Sequence, residues 1–240
     1  MIITIDGPAG SGKTSAARML AQRLGIKVLQ TGLLYRAAAY VLLVARGLVP
    51  AVTAQENEAC VSAEESMDVR DSVSERDIEL LSSIEYGYEG SAIFPYVCIS
   101  GRRREALLGL GWLSLPASII SQNVEIRAWA LRIQHDIAQE YSVVAEGRDR
   151  GTVVFPNADY KFFLTASLDA RVERIMRDRT RNAEALARDE AARSIAERDA
   201  HDEHRIVAPL VAASGAIEIN SSDLSQEAVV TQMLARIQKQ

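Results

Sequence analysis

The segment Gly7-Pro8-Ala9-Gly10-Ser11-Gly12-Lys13-Thr14 sets glycines, a lysine and a hydroxyl at a spacing suited to chemistry on phosphate. In a Gly-x-x-x-x-Gly-Lys-Thr run the glycines let successive backbone amides converge on an anion. The lysine reaches terminal phosphates, and the threonine hydroxyl can ligate Mg²⁺. Such a loop needs a strand before it and a helix behind it. Ile2-Ile3-Thr4-Ile5 reads as the strand, and Thr14 to Leu24 as the helix, with Ala16, Ala17, Leu20, Ala21 and Leu24 at helical spacing and Gly25 as its stop. A turn that merely joined the two would not ask for Lys13 and Thr14 in the last two places. Gly7, Pro8, Ala9, Gly10, Ser11, Gly12, Lys13, Thr14 and Ser15 are therefore expected to hold the phosphates of a nucleotide, with Thr14 as the metal ligand. No Asn-Lys-x-Asp base-reading motif of a GTPase switch accompanies them.

A phosphate loop does not name the acceptor. Four further clusters could form a second anion site. Gln30-Thr31-Gly32-Leu33-Leu34-Tyr35-Arg36 turns from a strand end into a helix, so Tyr35 and Arg36 fall in a first turn where phosphate is favoured. Glu146-Gly147-Arg148-Asp149-Arg150-Gly151-Thr152 follows an apolar strand, where ligands of open α/β sheets sit. In the run Glu197 to Arg205, helical geometry puts Arg198, Asp202 and Arg205 within roughly 60° on one face. Arg171, Arg174, Arg177, Arg179 and Arg181 crowd one helix that could close as a lid over a transferring phosphoryl group.

The elements that must position these residues fall into a β-α-β rhythm at both ends of the chain. Lys27 to Leu29 and Leu33 to Arg46 continue the opening pattern. The order resumes with a helix from about Pro116 to Gln139 and strands at Ser142 to Ala145, Lys161 to Thr165 and Ala216 to Ile219. Helices are expected at Leu168 to Arg181, Ala183 to Arg205 and Ser225 to Gln238. Between Val49 and Leu115 the rhythm dissolves into an acidic helix around Glu56 to Met67, a strand candidate at Asp77 to Leu81 and a Gly- and Tyr-rich stretch from Tyr86 to Gly90. The expected organisation is a single domain with a core from about 1–32 and 116–240, an inserted region of about 33–115 and a lid of about 168–183.

Composition bounds the remaining choices. A net charge of -5 disfavours a general nucleic-acid binder, which needs a basic face. Lysines occur only at 13, 27, 161 and 239, so nearly all of the 27 basic residues are Arg, the side chain that grips phosphate in two places. No apolar run reaches membrane-spanning length and no signal-peptide pattern opens the chain, so a cytoplasmic address and no membrane partner are expected. A monomer is expected as well. Cys60 and Cys98 are too few for a disulfide framework and are expected as buried thiols.

With IDGPAGSGKT, TGLLYRAAAY, AEGRDRGTVVFPNAD, KFFLTAS and AERDAHDEHRIVAPL in view, the chain resembles the bacterial cytidylate kinases, a family of P-loop nucleoside monophosphate kinases, over nearly its full length. The resemblance implies a three-layer α/β fold: a central parallel sheet flanked by helices, an inserted monophosphate-binding subdomain and a short helical lid. It implies transfer of the γ-phosphoryl group of Mg·ATP to CMP or dCMP. Cytosine would be read by Ser118, Arg127 and Asp149, the sugar held by Tyr35, Arg198 and Asp202, and the monophosphate by Arg36, Arg148 and Arg205, with Thr31 a further substrate-binding residue. Lys13, Arg148 and the lid residues Arg174, Arg177 and Arg181 would act on the moving group. Gln30 stands where the family usually has Asp, Arg150 replaces an apolar residue, and Gly101-Arg102-Arg103-Arg104 has no counterpart. From the residues alone, a kinase for UMP, AMP or a shikimate-like acceptor, or a regulatory nucleotide-binding protein, stays open.

Overall fold

The computed structural model of the protein describes residues 1–50, 62–177, 188–205 and 207–238. In chain order the elements begin with β1 (Ile2–Asp6), α1 (Lys13–Leu24), β2 (Lys27–Gln30), α2 (Thr31–Ala45), α3 (Ala63–Asp71) and α4 (Glu75–Leu80). Short strands β3 (Ile84–Gly87), β4 (Tyr96–Ile99) and β5 (Arg102–Arg103) follow, then α5 (Glu105–Leu108), α6 (Ser114–Ile120) and α7 (Val124–Glu140). The chain ends with β6 (Val143–Gly147), β7 (Tyr160–Thr165), α8 (Leu168–Arg177), α9 (Arg188–Glu203), β8 (Ile217–Asn220) and α10 (Gln226–Ile237).

Two compact units result. One holds Met1–Gln30, Ala92–Phe94 and Asp136–Gln240, the other Thr31–Ser91 and Pro95–His135. In the first, five strands pair in the order β2-β6-β1-β7-β8, every neighbour parallel. Strands covered on both faces must be apolar throughout, and Ile3, Ile5, Val28, Val144, Phe162 and Leu164 are almost wholly buried. The apolar face of α1, Ala16, Ala17, Leu20 and Ala21, packs into this core with Val229, Val230 and Met233 of α10. Register sets Ile5 beside Glu146 and Asp6 beside Gly147, so the loops after β1 and β6 leave the sheet at the same edge, from adjacent strands. That edge, where strand order reverses about β1, is where open α/β sheets bind ligands.

The second unit gathers Leu34, Leu42, Leu43, Leu81, Leu108, Leu113, Ile120 and Trp129 into a core of its own beside the antiparallel sheet β3-β4-β5. This sheet went unread in the sequence because its strands are short and partly polar. Asp77 to Leu81 is not a strand. Ser74 Oγ accepts from the Asp77 amide while the Asp77 carboxylate accepts from the Ser74 amide at 2.8 Å, a capping box that starts α4. A second box, between Ser62 and Glu65, starts α3, and the expected residues 56–61 of that helix lie outside the described ones. The single helix expected over Pro116 to Gln139 is two, since Asn123 Oδ1 accepts from the amides of Glu125 and Ile126 at 3.0 and 3.1 Å and begins α7 afresh. Residues 178–187 of the expected lid and the helix after it are also outside the described set. Cys98 is buried and carries no disulfide, while Cys60 is not among the described residues. No described helix is long and apolar enough to cross a membrane.

Candidate active site

The loop after β1 is shaped by close approaches. Gly7 adopts φ +146°, and a Cβ there would stand 2.0 Å from the Leu164 carbonyl oxygen. Gly10, at φ +75°, passes within 3.0 Å of Arg171 Cβ by the same measure. Both positions exclude a side chain. Gly12 precedes α1 in a left-handed conformation, no side chain caps the helix, and its first turn contains no acid. The free amides and the positive helix end are thereby left to an anion. Thr14 and Ser15 stand in this first turn, both half-buried.

Lys13 is buried and donates to the Pro8 carbonyl at 2.6 Å, within its own loop. Burial pushes its ammonium well below the ordinary lysine value. Arg148 and Arg198 push the same way, against Glu146 and Asp202. A phosphate in the loop would reverse that balance by supplying the counter-charge.

Beside it lies a carboxylate clasped by arginines. Asp202, on α9 and 1 % exposed, accepts from Arg148 Nε at 2.6 Å through one oxygen and from Arg205 through the other. Burial raises its pKa, but Arg148, Arg205 and Arg198 outweigh that and hold it at about 2. The predicted set Arg148, Arg198, Asp202 and Arg205 is thus brought together. Asp149 belongs to the same turn and is buried, with Arg150 donating to its Oδ1.

The helix α8 meets the loop through two arginines. Arg174 donates to Gly10 O at 3.4 Å and to Ser221 Oγ at 3.0 Å. Arg171 donates to Ala9 O at 3.3 Å and pairs with Asp199. Arg177 is not brought there: it is exposed and pairs with Glu173 at 3.0 Å one turn back on α8. Arg181 lies outside the described residues.

In the second unit, Thr31 and Tyr35 are buried on α2, and Ser118 and Arg127 are buried on α6 and α7. Arg36 donates to Leu108 O at 2.7 Å and Ser114 Oγ at 2.8 Å. Arg127 donates to Ser121 O at 3.4 Å.

Two contributors were missed in the sequence. Asp6, 3 % exposed at the end of β1, accepts from the Arg150 and Gly151 amides at 2.9 and 2.7 Å and ties the Arg148-Asp149 turn to the strand that feeds the phosphate loop. Burial raises its pKa above the ordinary aspartate value, with both amides and the Arg150 charge opposing. Its signal was its place directly before Gly7. Ser221, after β8, puts its hydroxyl 3.0 Å from both the Ser11 and Thr165 carbonyl oxygens, and no local pattern announces it.

A parallel sheet with a Gly-x-x-x-x-Gly-Lys-Thr loop between its first strand and helix defines the class, a P-loop nucleotide-binding α/β protein. A family model described as "Cytidylate kinase" matches residues 3–239. The chain is 35% identical over 237 residues to a cytidylate kinase of Thermotoga sp. (strain RQ2), covering 99% of this chain and 96% of that one. It is 38% identical over 233 residues to that of Fervidobacterium nodosum, covering 97% and 94%, and 35% identical over 241 residues to that of Chlamydia felis, covering 99% and 98%. The chain belongs to the cytidylate kinase family.

Proposed function

We propose that the protein transfers the γ-phosphoryl group of ATP to CMP or dCMP, releasing ADP and the pyrimidine diphosphate, and does so as a cytoplasmic monomer. The observation that carries this reading is the Asp202 carboxylate held between Arg148 and Arg205 in the same unit as Lys13 and the loop Gly7 to Ser15. Guanidinium groups fixed in this way form an acceptor pocket for a nucleoside monophosphate, with the carboxylate left to take a sugar hydroxyl. Phosphoryl transfer needs alignment and charge stabilisation rather than a covalent side-chain nucleophile.

In this reading Lys13 and the backbone amides of Gly10, Gly12 and Thr14 bind the ATP phosphates, and Arg174 adds positive charge from α8. Arg148, Arg205 and Arg36 hold the acceptor phosphate. Arg198, Asp202 and Tyr35 hold the sugar, and Asp149, Ser118 and Arg127 read the base. The unexposed surroundings of Lys13, Asp149 and Asp202 keep water from competing as acceptor. Mg²⁺ suits the donor set, because the first turn of α1 offers a hydroxyl without a competing carboxylate and Mg²⁺ prefers few protein ligands plus phosphate oxygens. Thr14 would hold it, and the ion would neutralise charge between the β and γ phosphates. Gln30, in place of the family's usual carboxylate, accepts from Arg18 at 3.3 Å and is not enlisted.

An ADP-release assay over CMP, dCMP, UMP, AMP and shikimate tests the reading. CMP or dCMP should turn over fastest. Preference for another acceptor, or ATP binding without transfer to any monophosphate, would replace it.

A further inference from the structure

The phosphate loop is met by an ion pair between α8 and α9. Arg171 and Asp199 have side chains 11 % and 13 % exposed, and Arg171 Nη1 donates to Asp199 Oδ2. The same nitrogen donates to the Ala9 carbonyl at 3.3 Å, so its two hydrogens join a carboxylate of α9 to the loop. The pair is made at one point. Asp199 Oδ1 and Arg171 Nε are buried without a hydrogen-bond partner among the described residues, a cost that a two-point pair would lower. The guanidinium is turned instead to where one nitrogen serves carboxylate and carbonyl together. Local sequence explains the meeting. Asp199 follows Ile195 by four residues and Ala191 by eight, so it shares their face of α9, and both pack with Val172, the neighbour of Arg171. The helix α8 touches the loop at the same place, where a Cβ on Gly10 would stand 3.0 Å from Arg171 Cβ and 3.2 Å from its carbonyl oxygen.

We infer that Arg171, itself held by Asp199, is a positioning residue for the phosphate cradle: it fixes the Ala9-Gly10 peptide plane so that the Gly10 amide faces the nucleotide phosphates. This rests on the reading of Gly7 to Ser15 as the loop that binds ATP. In a trans peptide the carbonyl and the following N–H point in opposite directions, so a carbonyl drawn to Arg171 turns the Gly10 N–H to the other side of the chain. Gly10, at φ +75°, has no Cβ to bias that plane, and a peptide before glycine turns over at low cost. One orientation presents a donor to an anion. The other presents a carbonyl oxygen, which repels it. Asp199 acts through Arg171, by balancing its charge and holding its arm in place. Neither side chain needs to touch the nucleotide.

A double-mutant cycle of Arg171→Met and Asp199→Asn in the full chain tests this, reading the ATP dissociation constant by calorimetry and the KM for CMP, with Lys13→Ala as the control for the loop itself. Each single variant should weaken ATP on the order of tenfold, comparable to ordering one residue's backbone on binding. The CMP KM should stay within about twofold of wild type. In the Arg171→Met background, Asp199→Asn should change ATP affinity by less than about twofold, because the carboxylate acts through the arginine. Should Arg171→Met fail to fold, Arg171→Gln, polar but shorter, takes its place in the cycle. If Lys13→Ala weakens ATP while the Arg171 and Asp199 variants bind it as wild type does, or weaken ATP and CMP alike, Arg171 has no positioning role and the phosphate-loop reading stands. Full additivity of the two variants would likewise overturn the inference, since Asp199 would then act by another route. If Lys13→Ala leaves ATP binding untouched, the phosphate-loop reading fails and the role of Arg171 falls with it.

Discussion

Arg148 Nε donates to Asp202 Oδ2 at 2.6 Å, joining the turn after β6 to α9 across a sequence separation of 54 residues. Asp202 is worth more ionised in the folded chain than in the unfolded one, since its pKa falls from 3.8 to about 2. The associated stability is fully present above the unfolded value and is lost as pH drops from about 4 toward 2. A shift of this size corresponds to about 2 kcal/mol. Asp202→Asn should therefore lower the melting temperature at pH 6 to 7 and flatten its decline between about pH 4 and pH 2. Equal acid slopes for both proteins would remove Asp202 from that account.

Lys13→Ala should fold normally and turn over slower by orders of magnitude. Its ammonium is buried against the Pro8 carbonyl with a lowered pKa, so removing it costs the free protein little. On the proposed function, what disappears is positive charge at the transferring group, where one lost donor costs roughly a hundredfold or more. Melting temperature and single-turnover rate check the two halves separately.

The same lysine predicts proton linkage. With the pKa lowered by burial in the free protein and raised again by phosphate charge, ATP binding should be accompanied by proton uptake at pH values lying between the free and bound values. Calorimetric titrations in buffers of different ionisation enthalpy should show proton uptake that vanishes in Lys13→Ala.

How much of this was legible in sequence follows from what each residue depends on. Gly7 to Thr14 declared itself because a phosphate cradle needs contiguous residues at fixed spacing. Asp202 and Arg205 lie three apart, one in the last turn of α9 and the other just beyond its end, so their shared side was readable too. Ser221 could not be found, because its partners Ser11 and Arg174 are 210 and 47 residues away and are set by strand order alone. The break at Asn123 and the start of α4 at Ser74 were written in local capping residues that apolar periodicity overrode. Arg177 was singled out by the crowding of arginines and by the family resemblance, and it pairs with Glu173 on the exposed side of α8.

Ser221→Ala removes a buried hydroxyl from between two carbonyl oxygens and takes one acceptor from Arg174. It should cost about 1 kcal/mol of stability. Because Ser11 and Gly10 belong to the phosphate loop, the KM for ATP should rise while that for CMP stays near wild type. A change confined to CMP would contradict the assignment of Arg174 to the nucleotide phosphates.

Asp149→Ala separates the two nucleotides from the other direction. The CMP KM should rise far more than the ATP KM, and the melting temperature should fall because the buried Asp149–Arg150 ion pair is broken. Equal losses for both substrates would place Asp149 outside acceptor recognition.

The central claim is that an amide-lined loop and an arginine-held acceptor site act on one transferred group. Competition by a bisubstrate mimic, cytidine and adenosine joined through a phosphate chain, measures this most directly. One molecule should bind per chain and compete with both ATP and CMP, and Arg148→Ala and Lys13→Ala should each weaken it. Competition with ATP alone, indifferent to Arg148, would contradict the account.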